Sequence, residues 1–219
     1  MDKTTSILHT LKDQGLMPLF FEKDPQVCVA LLHALYDAGV RLLEFTNRGE
    51  EAPANFKILK KEAENLPGLF LGIGTIKNSN QADQFIDAGA DFLISPALAE
   101  DVYDVAYSNK TLWIPGCMTV TEILKAENMG VPLVKLFPGN ILGPSFMQAI
   151  RELFPKMLFM PTGGVETTKD NLQEWFSSGV CAVGMGSKLI SKKILADKDY
   201  KAVQQTAAEV LATIQSLKK

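Results

Sequence analysis

The sequence predicts an α/β fold, and more specifically a (β/α)8 TIM barrel preceded by one extra N-terminal helix. Three observations predict it. Short, almost entirely apolar runs alternate with stretches that carry apolar residues at helical spacing. Each strand-then-helix unit spans roughly 20 to 28 residues, and eight such units fill a chain of 219 residues. Strands that are apolar on both faces are typical of a parallel sheet covered by helices.

The predicted elements follow one another without a linker or a change in composition, so we expect one domain over residues 1–219. Strands are predicted at 17–21, 41–46, 69–76, 92–96, 112–116, 131–139, 157–162 and 181–186. Helices are predicted at 5–13, 27–38, 53–65, before 89, and at 98–107, 119–127, 144–153, 170–177 and 199–216. An open doubly wound sheet is the alternative, but no dinucleotide-binding glycine motif follows the first strand.

Two pairs of polar residues have the spacing of a helix capping box. They are Thr119 with Glu122, and Thr167 with Asp170. We interpret both pairs as structural, because each one opens a predicted helix.

The composition indicates a soluble globular protein with a net charge of −3 and 47% hydrophobic residues. There is no basic stripe of the kind that binds nucleic acid. Residues 1–6 show no charged leader followed by an apolar run, and no apolar run approaches the roughly 20 residues that span a bilayer. We therefore expect a cytoplasmic protein with neither nucleic acid nor membrane as a partner.

The cysteines and histidines do not suggest a metal centre. Cys28, Cys117 and Cys181 are far apart in apolar segments, which indicates buried free thiols in a reducing compartment. The two histidines, His9 and His33, both fall in predicted helices. A histidine metal cluster or a Ser-His-Asp triad is therefore not expected.

The sixth strand contains a single lysine, Lys135, on the same predicted face as Leu133 and Phe137. An ammonium group on an apolar face must be paired or lose its proton. A free lysine amine is a nucleophile that can form a Schiff base with a carbonyl group. The alternative is that Lys135 extends from a strand end into solvent.

The second strand carries a carboxylate in its interior, at Glu44, with Thr46 and Arg48 at the same strand parity. We interpret Glu44 as a general acid/base near Lys135, and Arg48 as a clamp for a carboxylate or phosphate. The alternative is a structural ion pair of Glu44 with Arg48 or Lys135.

Other polar and glycine residues fall at strand ends, where a TIM barrel has its active site. The third strand ends at Gly72-Ile-Gly-Thr75. Pro161-Thr-Gly-Gly164 and Gly184-Met-Gly-Ser187 end the seventh and eighth strands, with Ser187 expected near a helix start. These last two segments predict a phosphate site. An amine, a carboxylate, a carboxylate clamp and a phosphate site together suit an enzyme that processes a phosphorylated keto acid through an imine. One alternative is an isomerase or epimerase that uses Glu44 without an imine. Another is a non-catalytic barrel.

The order of these motifs resembles the KDPG/KHG aldolase family, whose substrates are 2-keto-3-deoxy-6-phosphogluconate and 4-hydroxy-2-oxoglutarate. The resemblance extends nearly end to end. The matching segments are 43–48, 72–76, 94–98, 114–116 with Thr119 and Glu122, 134–138, 161–164 and 186–187.

The resemblance implies a role for each site residue. Lys135 is similar to the Schiff-base lysine, and Glu44 to the acid/base that moves protons at the carbinolamine and at the nascent pyruvate methyl carbon. Arg48 and Thr75 resemble the residues that hold the pyruvate carboxylate. The resemblance further implies pocket walls at Pro96 and Phe137, and a polar, phosphate-binding end at Thr162, Gly163, Gly164, Gly186 and Ser187.

The resemblance also implies the reaction. It is a class I aldolase cleavage of KDPG into pyruvate and glyceraldehyde 3-phosphate, with no metal or cofactor, by a homotrimer. Two loops differ from better-known members: 139–144 lacks their Ala-Glu step, and 165–171 is about two residues longer. Because both loops border the site, 4-hydroxy-2-oxoglutarate or 2-dehydro-3-deoxy-6-phosphogalactonate remains an alternative substrate.

Overall fold

The computed structural model describes residues 2–218, in which strands and helices alternate except that β5 is followed by β6 and α9 by α10. The strands are β1 (Leu16–Phe20), β2 (Leu42–Thr46), β3 (Phe70–Gly74), β4 (Phe92–Ile94), β5 (Leu112–Ile114), β6 (Gly116–Cys117), β7 (Leu133–Leu136), β8 (Leu158–Pro161) and β9 (Val183–Met185). The helices are α1 (Lys3–Gln14), α2 (Pro25–Asp37), α3 (Ala52–Ala63), α4 (Ser79–Asp87), α5 (Glu100–Ser108), α6 (Val120–Asn128), α7 (Gly139–Ile150), α8 (Lys169–Ser177), α9 (Lys192–Asp197) and α10 (Tyr200–Leu217).

The strands pair in parallel throughout, as predicted. A six-stranded sheet has the order β5-β4-β3-β2-β1-β9, and a three-stranded sheet has the order β6-β7-β8. One isolated parallel bridge, between Thr162 and Gly184, links β8 to β9. The predicted single strand at 112–116 is divided into β5 and β6 at Pro115, a residue that has no N–H to contribute to a ladder.

Two apolar clusters form the core. The larger one lies between the strands and the helices that cover them. The smaller one collects alternate strand residues from both sheets, including Met17, Leu42, Leu133 and Met160, so the curled sheets share an interior. Helix α1 adds Ile7 and Leu11 to this inner cluster. The predicted extra helix therefore packs against the inner cluster of the sheets.

Several local predictions can be compared with the structure. The capping box of Thr119 and Glu122 is present. The one predicted at Thr167 and Asp170 is wrong: the N-cap residue is Thr168, without a side-chain cap. Asp170 is thus one position too close to the helix start to complete the box.

Two helical segments were also missed or misplaced. Helix α7 begins at Gly139 rather than Pro144, and it is interrupted at Gly143, where φ is 71°. The predicted helix from Pro144 corresponds to the part that follows this kink. The short helix α9 was not predicted. No helix within residues 2–218 has the length and apolarity that a membrane span requires.

Candidate active site

Lys135 lies on the inner face of β7. Its side chain is only 5% exposed, and Leu133 of the same strand face belongs to the inner apolar cluster. The Lys135 Nζ atom is 5.1 Å from the ring centroid of Phe137. The predicted common orientation of these side chains is confirmed, and Lys135 is buried rather than extended into solvent.

Glu44 lies on the inner face of β2 and is 1% exposed. A Cβ atom at Gly74 would overlap the Glu44 carboxyl group, so the glycine at the end of β3 provides the space that this side chain occupies. Burial raises the pKa of Glu44 above its ordinary value, while the positive charges of Lys135 and Arg48 act in the opposite direction. A carboxyl group with a raised pKa is suited to exchanging protons near neutral pH.

No ion pair joins Glu44 to Lys135 or to Arg48 in the described part of the chain. Residues 2–218 therefore contain no structural ion pair of Glu44 with either cation. The Glu44 Oε2 atom has no hydrogen-bond partner although it is buried. An amine and a carboxyl group are thus both buried inside the sheets, and neither is neutralised by a direct contact with the other.

Two threonine hydroxyls are, like the Glu44 carboxyl group, buried without a hydrogen-bond partner. Thr46, at the end of β2, and Thr162, just after β8, each have a buried Oγ1 atom without a partner. Thr46 lies two residues from Glu44 on the same strand face, and Thr162 lies against Gly184. Because buried polar atoms are normally hydrogen-bonded, these oxygens indicate a place that a polar ligand or water fills.

The predicted carboxylate-binding and wall residues lie at the ends of neighbouring strands. Thr75 directly follows β3 and has a φ of 64°, a left-handed conformation that is a genuine outlier for a β-branched residue. Such strain is concentrated at functional sites. Arg48 is exposed, two residues after β2, and Pro96 is half-buried after β4, with its carbonyl group packed on the Cα of Gly116.

The two glycine-rich loops lie side by side. Gly163 and Gly164 have φ values of 91° and 70°, which only glycine adopts readily. The N–H groups of Gly164 and Ser187 have no backbone acceptor within residues 2–218. The expected position of Ser187 is corrected: it lies in a single turn closed by N–H groups of residues 189 and 190 on the Gly186 carbonyl, four residues before Ser191, the N-cap of α9.

The loop after β7 packs directly on the first glycine loop. The Gly139 N–H donates to the Thr162 carbonyl at 2.8 Å, and the Asn140 backbone fills the space where a Gly164 side chain would begin. The segment 139–144, which departs from the pattern of the resembled family, therefore borders the predicted phosphate site. Among the residues described, no group of three or more His, Cys, Asp and Glu side chains is arranged to hold a metal ion.

Comparison with known proteins identifies the family. The family model described as "KDPG and KHG aldolase" matches residues 7–206. The chain belongs to the KDPG and KHG aldolase family. It is therefore an aldolase, a lyase that cleaves carbon–carbon bonds, and the predicted family is confirmed.

Individual relatives cover nearly the whole aldolase chain. The KHG/KDPG aldolase of Escherichia coli K12 is 32% identical over 209 residues, covering 94% of this chain and 95% of its own. The 2-dehydro-3-deoxy-phosphogluconate aldolase of Dickeya dadantii is 32% identical over 210 residues, covering 95% and 96%. The Legionella pneumophila KDPG aldolase structure, with pyruvate captured as a covalent carbinolamine intermediate, has a TM-score of 0.84 at 25% identity, covering 93% and 97%.

Sequence reasoning missed several residues that border the site of this aldolase. Thr46 could have been included because it shares the strand face of Glu44. Asn140, whose Oδ1 atom lies 3.2 Å from where a Gly163 side chain would begin, had no local signal. The same is true of Lys188 and Glu166, which form an ion pair between the two glycine-rich loops. Contacts between loops that are distant in sequence cannot be read from strand alternation.

Proposed function

We propose that this aldolase cleaves KDPG into pyruvate and glyceraldehyde 3-phosphate through an imine on Lys135. The observation that carries the proposal is the pair of buried groups inside the sheets, the Lys135 amine and the unpartnered Glu44 carboxyl group. An aldol cleavage through an imine needs both a nucleophilic amine and a nearby group that exchanges protons. The names of the Escherichia coli and Dickeya dadantii relatives support the substrate class.

In the proposed mechanism, the Lys135 amine attacks the C2 ketone to give a carbinolamine, and Glu44 donates the proton with which hydroxide leaves as water. The resulting iminium draws electrons from the C3–C4 bond as Glu44 takes the proton from the C4 hydroxyl. The bond breaks to release glyceraldehyde 3-phosphate and leaves an enamine on Lys135. Glu44 returns its proton to C3, and hydrolysis of the imine releases pyruvate and the amine.

The remaining site residues have proposed binding roles. Arg48 and Thr75 hold the carboxylate of the substrate, and Pro96 and Phe137 form the walls beside it. Thr162, Gly163, Gly164, Gly186 and Ser187 bind the phosphate end. The N–H groups of Gly164 and Ser187, which have no backbone acceptor within residues 2–218, support this assignment, because unpaired backbone N–H groups in such loops can bind anions.

The decisive experiment is borohydride reduction in the presence of pyruvate, followed by peptide mapping with mass spectrometry. A reduced pyruvyl adduct on Lys135 is expected, and Lys135→Ala should remove it while Lys125→Ala, on the exposed face of α6, should not. An unmodified Lys135 in folded protein would contradict the imine and favour the isomerase or epimerase, or the non-catalytic barrel. With Lys135 modified, assays on KDPG and on 4-hydroxy-2-oxoglutarate decide the substrate, since the Escherichia coli relative is named for both.

We also propose that the two sheets form one closed eight-stranded barrel, in a single domain over residues 1–219. Closure between β8 and β9 is supported by the Thr162–Gly184 bridge and by the Cys181 N–H, which donates to the Phe159 carbonyl at 3.0 Å. The second junction between the two sheets lies at β5 and β6, which are consecutive in the chain. The Pro115 carbonyl between them accepts from Lys135 N–H at 2.8 Å. Slow hydrogen exchange at the Cys181 amide is expected of a closed barrel, and rapid exchange would indicate an open edge.

A homotrimer is the proposed assembly. Its support is a set of exposed large apolar residues on two consecutive units: Met118, Val120 and Leu124 at and within α6, and Ile141 in α7. Such residues mark surfaces that associate. Light scattering should give three times the mass of the chain, and Leu124→Lys should lower the measured mass. A monomeric wild-type protein would contradict the proposal.

Two further expectations stay predictions. We infer a cytoplasmic location from three free cysteines, of which Cys28 and Cys117 are buried. Cell fractionation tests this. We also expect no cofactor or metal requirement, so turnover should persist after dialysis against a chelator, and lost turnover that a metal restores would contradict it.

A further inference from the structure

An ion pair joins the two glycine-rich loops at the carboxyl ends of β8 and β9. The Lys188 Nζ atom lies 2.8 Å from Glu166 Oε1. Lys188 directly follows Ser187, and Glu166 lies two residues after Gly164. The pair therefore connects the two segments proposed to bind the substrate phosphate.

The proposed phosphate site is rich in neutral donors. The backbone N–H groups of Gly164, Ser187 and Lys188 have no backbone acceptor within residues 2–218, and the buried Thr162 hydroxyl has no partner. A phosphate monoester carries about −1.5 to −2 charges at neutral pH, and charge-assisted hydrogen bonds to it are roughly twice as strong as neutral ones. Lys188 directly follows Ser187, so it adds an ammonium group to the same loop as these donors.

The position of Glu166 is fixed by its own loop. The Glu166 N–H donates to the Asn171 Oδ1 atom at 2.8 Å, and the Asn171 amide reaches the Gly164 carbonyl at 3.4 Å. These bonds fix the Glu166 backbone at a point from which its side chain reaches Lys188. Because the Lys188 and Glu166 side chains are 56% and 45% exposed, their ion pair is weak, and another anion can displace it.

We propose that Lys188 binds the phosphate of the substrate, and that Glu166 competes with the phosphate for the Lys188 ammonium. The pair then sets how strongly the aldolase prefers phosphorylated substrates over uncharged analogues. This inference rests on the proposed function, since it assigns a specificity-determining pair to the phosphate end of that same site. Neither residue takes part in bond cleavage.

The test compares Lys188→Met and Glu166→Gln with wild type. For KDPG, Lys188→Met should raise KM roughly tenfold and leave kcat within about twofold, because an exposed charged contact is lost but the reacting atoms are not touched. Glu166→Gln should lower KM about threefold by removing the competing carboxylate. For 2-dehydro-3-deoxygluconate, which ends in a hydroxyl group, both variants should match wild type.

The matched control is the Lys125–Glu100 pair, which is also exposed and joins α5 and α6 rather than the glycine loops. Lys125→Met and Glu100→Gln should leave KM for KDPG unchanged. Equal changes for both substrates, or no change in Lys188→Met, would overturn the proposal. So would control variants that alter KM as much as the Lys188 variant.

Two readouts separate this proposal from the proposed function. Borohydride trapping of pyruvate reports on Lys135 alone, because pyruvate has no phosphate end, and it should be equal in all variants. Calorimetry with inorganic phosphate reports on the loops without any turnover. Weaker phosphate binding by Lys188→Met and tighter binding by Glu166→Gln support the proposal even if trapping fails; unchanged phosphate binding refutes it even if trapping succeeds.

Discussion

The two ends of the shared interior of the sheets differ in how their polar groups are satisfied. At the amino ends of the strands, Gln14 donates to the Leu16 and Leu42 carbonyl groups and accepts from the Arg41 and Leu42 N–H groups. Asp91 accepts from Lys3, Lys60 and the Leu71 N–H. Both polar side chains, Gln14 and Asp91, thus have partners, and Ile7 and Leu11 of α1 pack in the inner cluster.

At the carboxyl ends, the same interior contains polar atoms without partners. Of the four such side-chain atoms in residues 2–218, three are the oxygens of Glu44, Thr46 and Thr162, and the fourth is Trp175 Nε1 in α8. Glycine lies where these groups need room, as at Gly74, where a side chain would overlap the Glu44 carboxyl group. One end satisfies its polar groups within the fold, and the other contains buried polar atoms without partners and a strained threonine, Thr75, as expected of the proposed binding site.

The largest effect on turnover should follow from replacing Lys135, at the carboxyl end, with an apolar residue. Lys135→Met keeps the length of the side chain but removes the amine, so turnover should fall to background because no imine can form. The unfolding free energy should not decrease, because a buried amine is replaced by an apolar group of similar shape. Aldol assays and urea denaturation measure the two quantities. A variant that retains turnover would contradict the imine, and a variant that is strongly destabilised would contradict the contrast between the two ends.

Glu44→Gln should lower kcat by about 10²- to 10⁴-fold, because a positioned acid/base contributes that much. The same variant should change the pH dependence of stability. Since burial raises the pKa of Glu44 in the fold, the native state holds its proton more tightly than the unfolded chain does. The stability from this group is present below the ordinary pKa of 4.5 and is lost as pH rises through the raised value.

Urea denaturation at a series of pH values tests the sign. The unfolding free energy of wild type should decrease relative to that of Glu44→Gln as pH rises above 4.5. A difference that grows in the opposite direction would mean that the Glu44 pKa is lowered in the fold.

The sequence alone predicts much of this contrast, for reasons that lie in strand alternation. Lys135 and Glu44 stand out because each is a charged residue inside an apolar strand, and the alternation of side chains places both in the interior. The glycines after β8 and β9 stand out because paired glycines at strand ends are rare in a packed core. The repeated strand-then-helix pattern predicts parallel pairing in the same way.

The remainder depends on contacts between segments far apart in the chain. The position of Ser187 in a turn and the packing of Asn140 on the first glycine loop arise from how loops meet, and no local pattern predicts them. The Lys188–Glu166 pair has the same origin, since its partners come from different strand-to-helix loops. That the buried Thr46 hydroxyl has no partner depends on the packing around it, which the sequence does not reveal.

A cavity at the amino end should cost stability and leave catalysis intact. Leu11 in α1 is fully buried in the inner cluster, so Leu11→Ala should lower the unfolding free energy by about 2 to 5 kcal/mol. Leu153→Ala, at a site that is 61% exposed, should change it by less than about 0.5 kcal/mol. kcat should stay within about twofold in both variants. A comparable loss of kcat in Leu11→Ala would show that the two ends are coupled.

The smallest effect on stability should come from Thr46→Val at the carboxyl end. Because the Thr46 hydroxyl is buried without a partner, replacing it with a methyl group removes a desolvated polar atom and should leave the unfolding free energy unchanged or slightly higher. Thr119→Val, which breaks the capping box of α6, should instead cost about 0.5 to 2 kcal/mol. If the Thr46 hydroxyl is reserved for the ligand, KM for pyruvate in the trapping reaction should rise severalfold in Thr46→Val and stay constant in Thr119→Val. Equal destabilisation by the two substitutions would mean that water satisfies the Thr46 hydroxyl in the free enzyme, and that the carboxyl end is as fully hydrogen-bonded as the amino end.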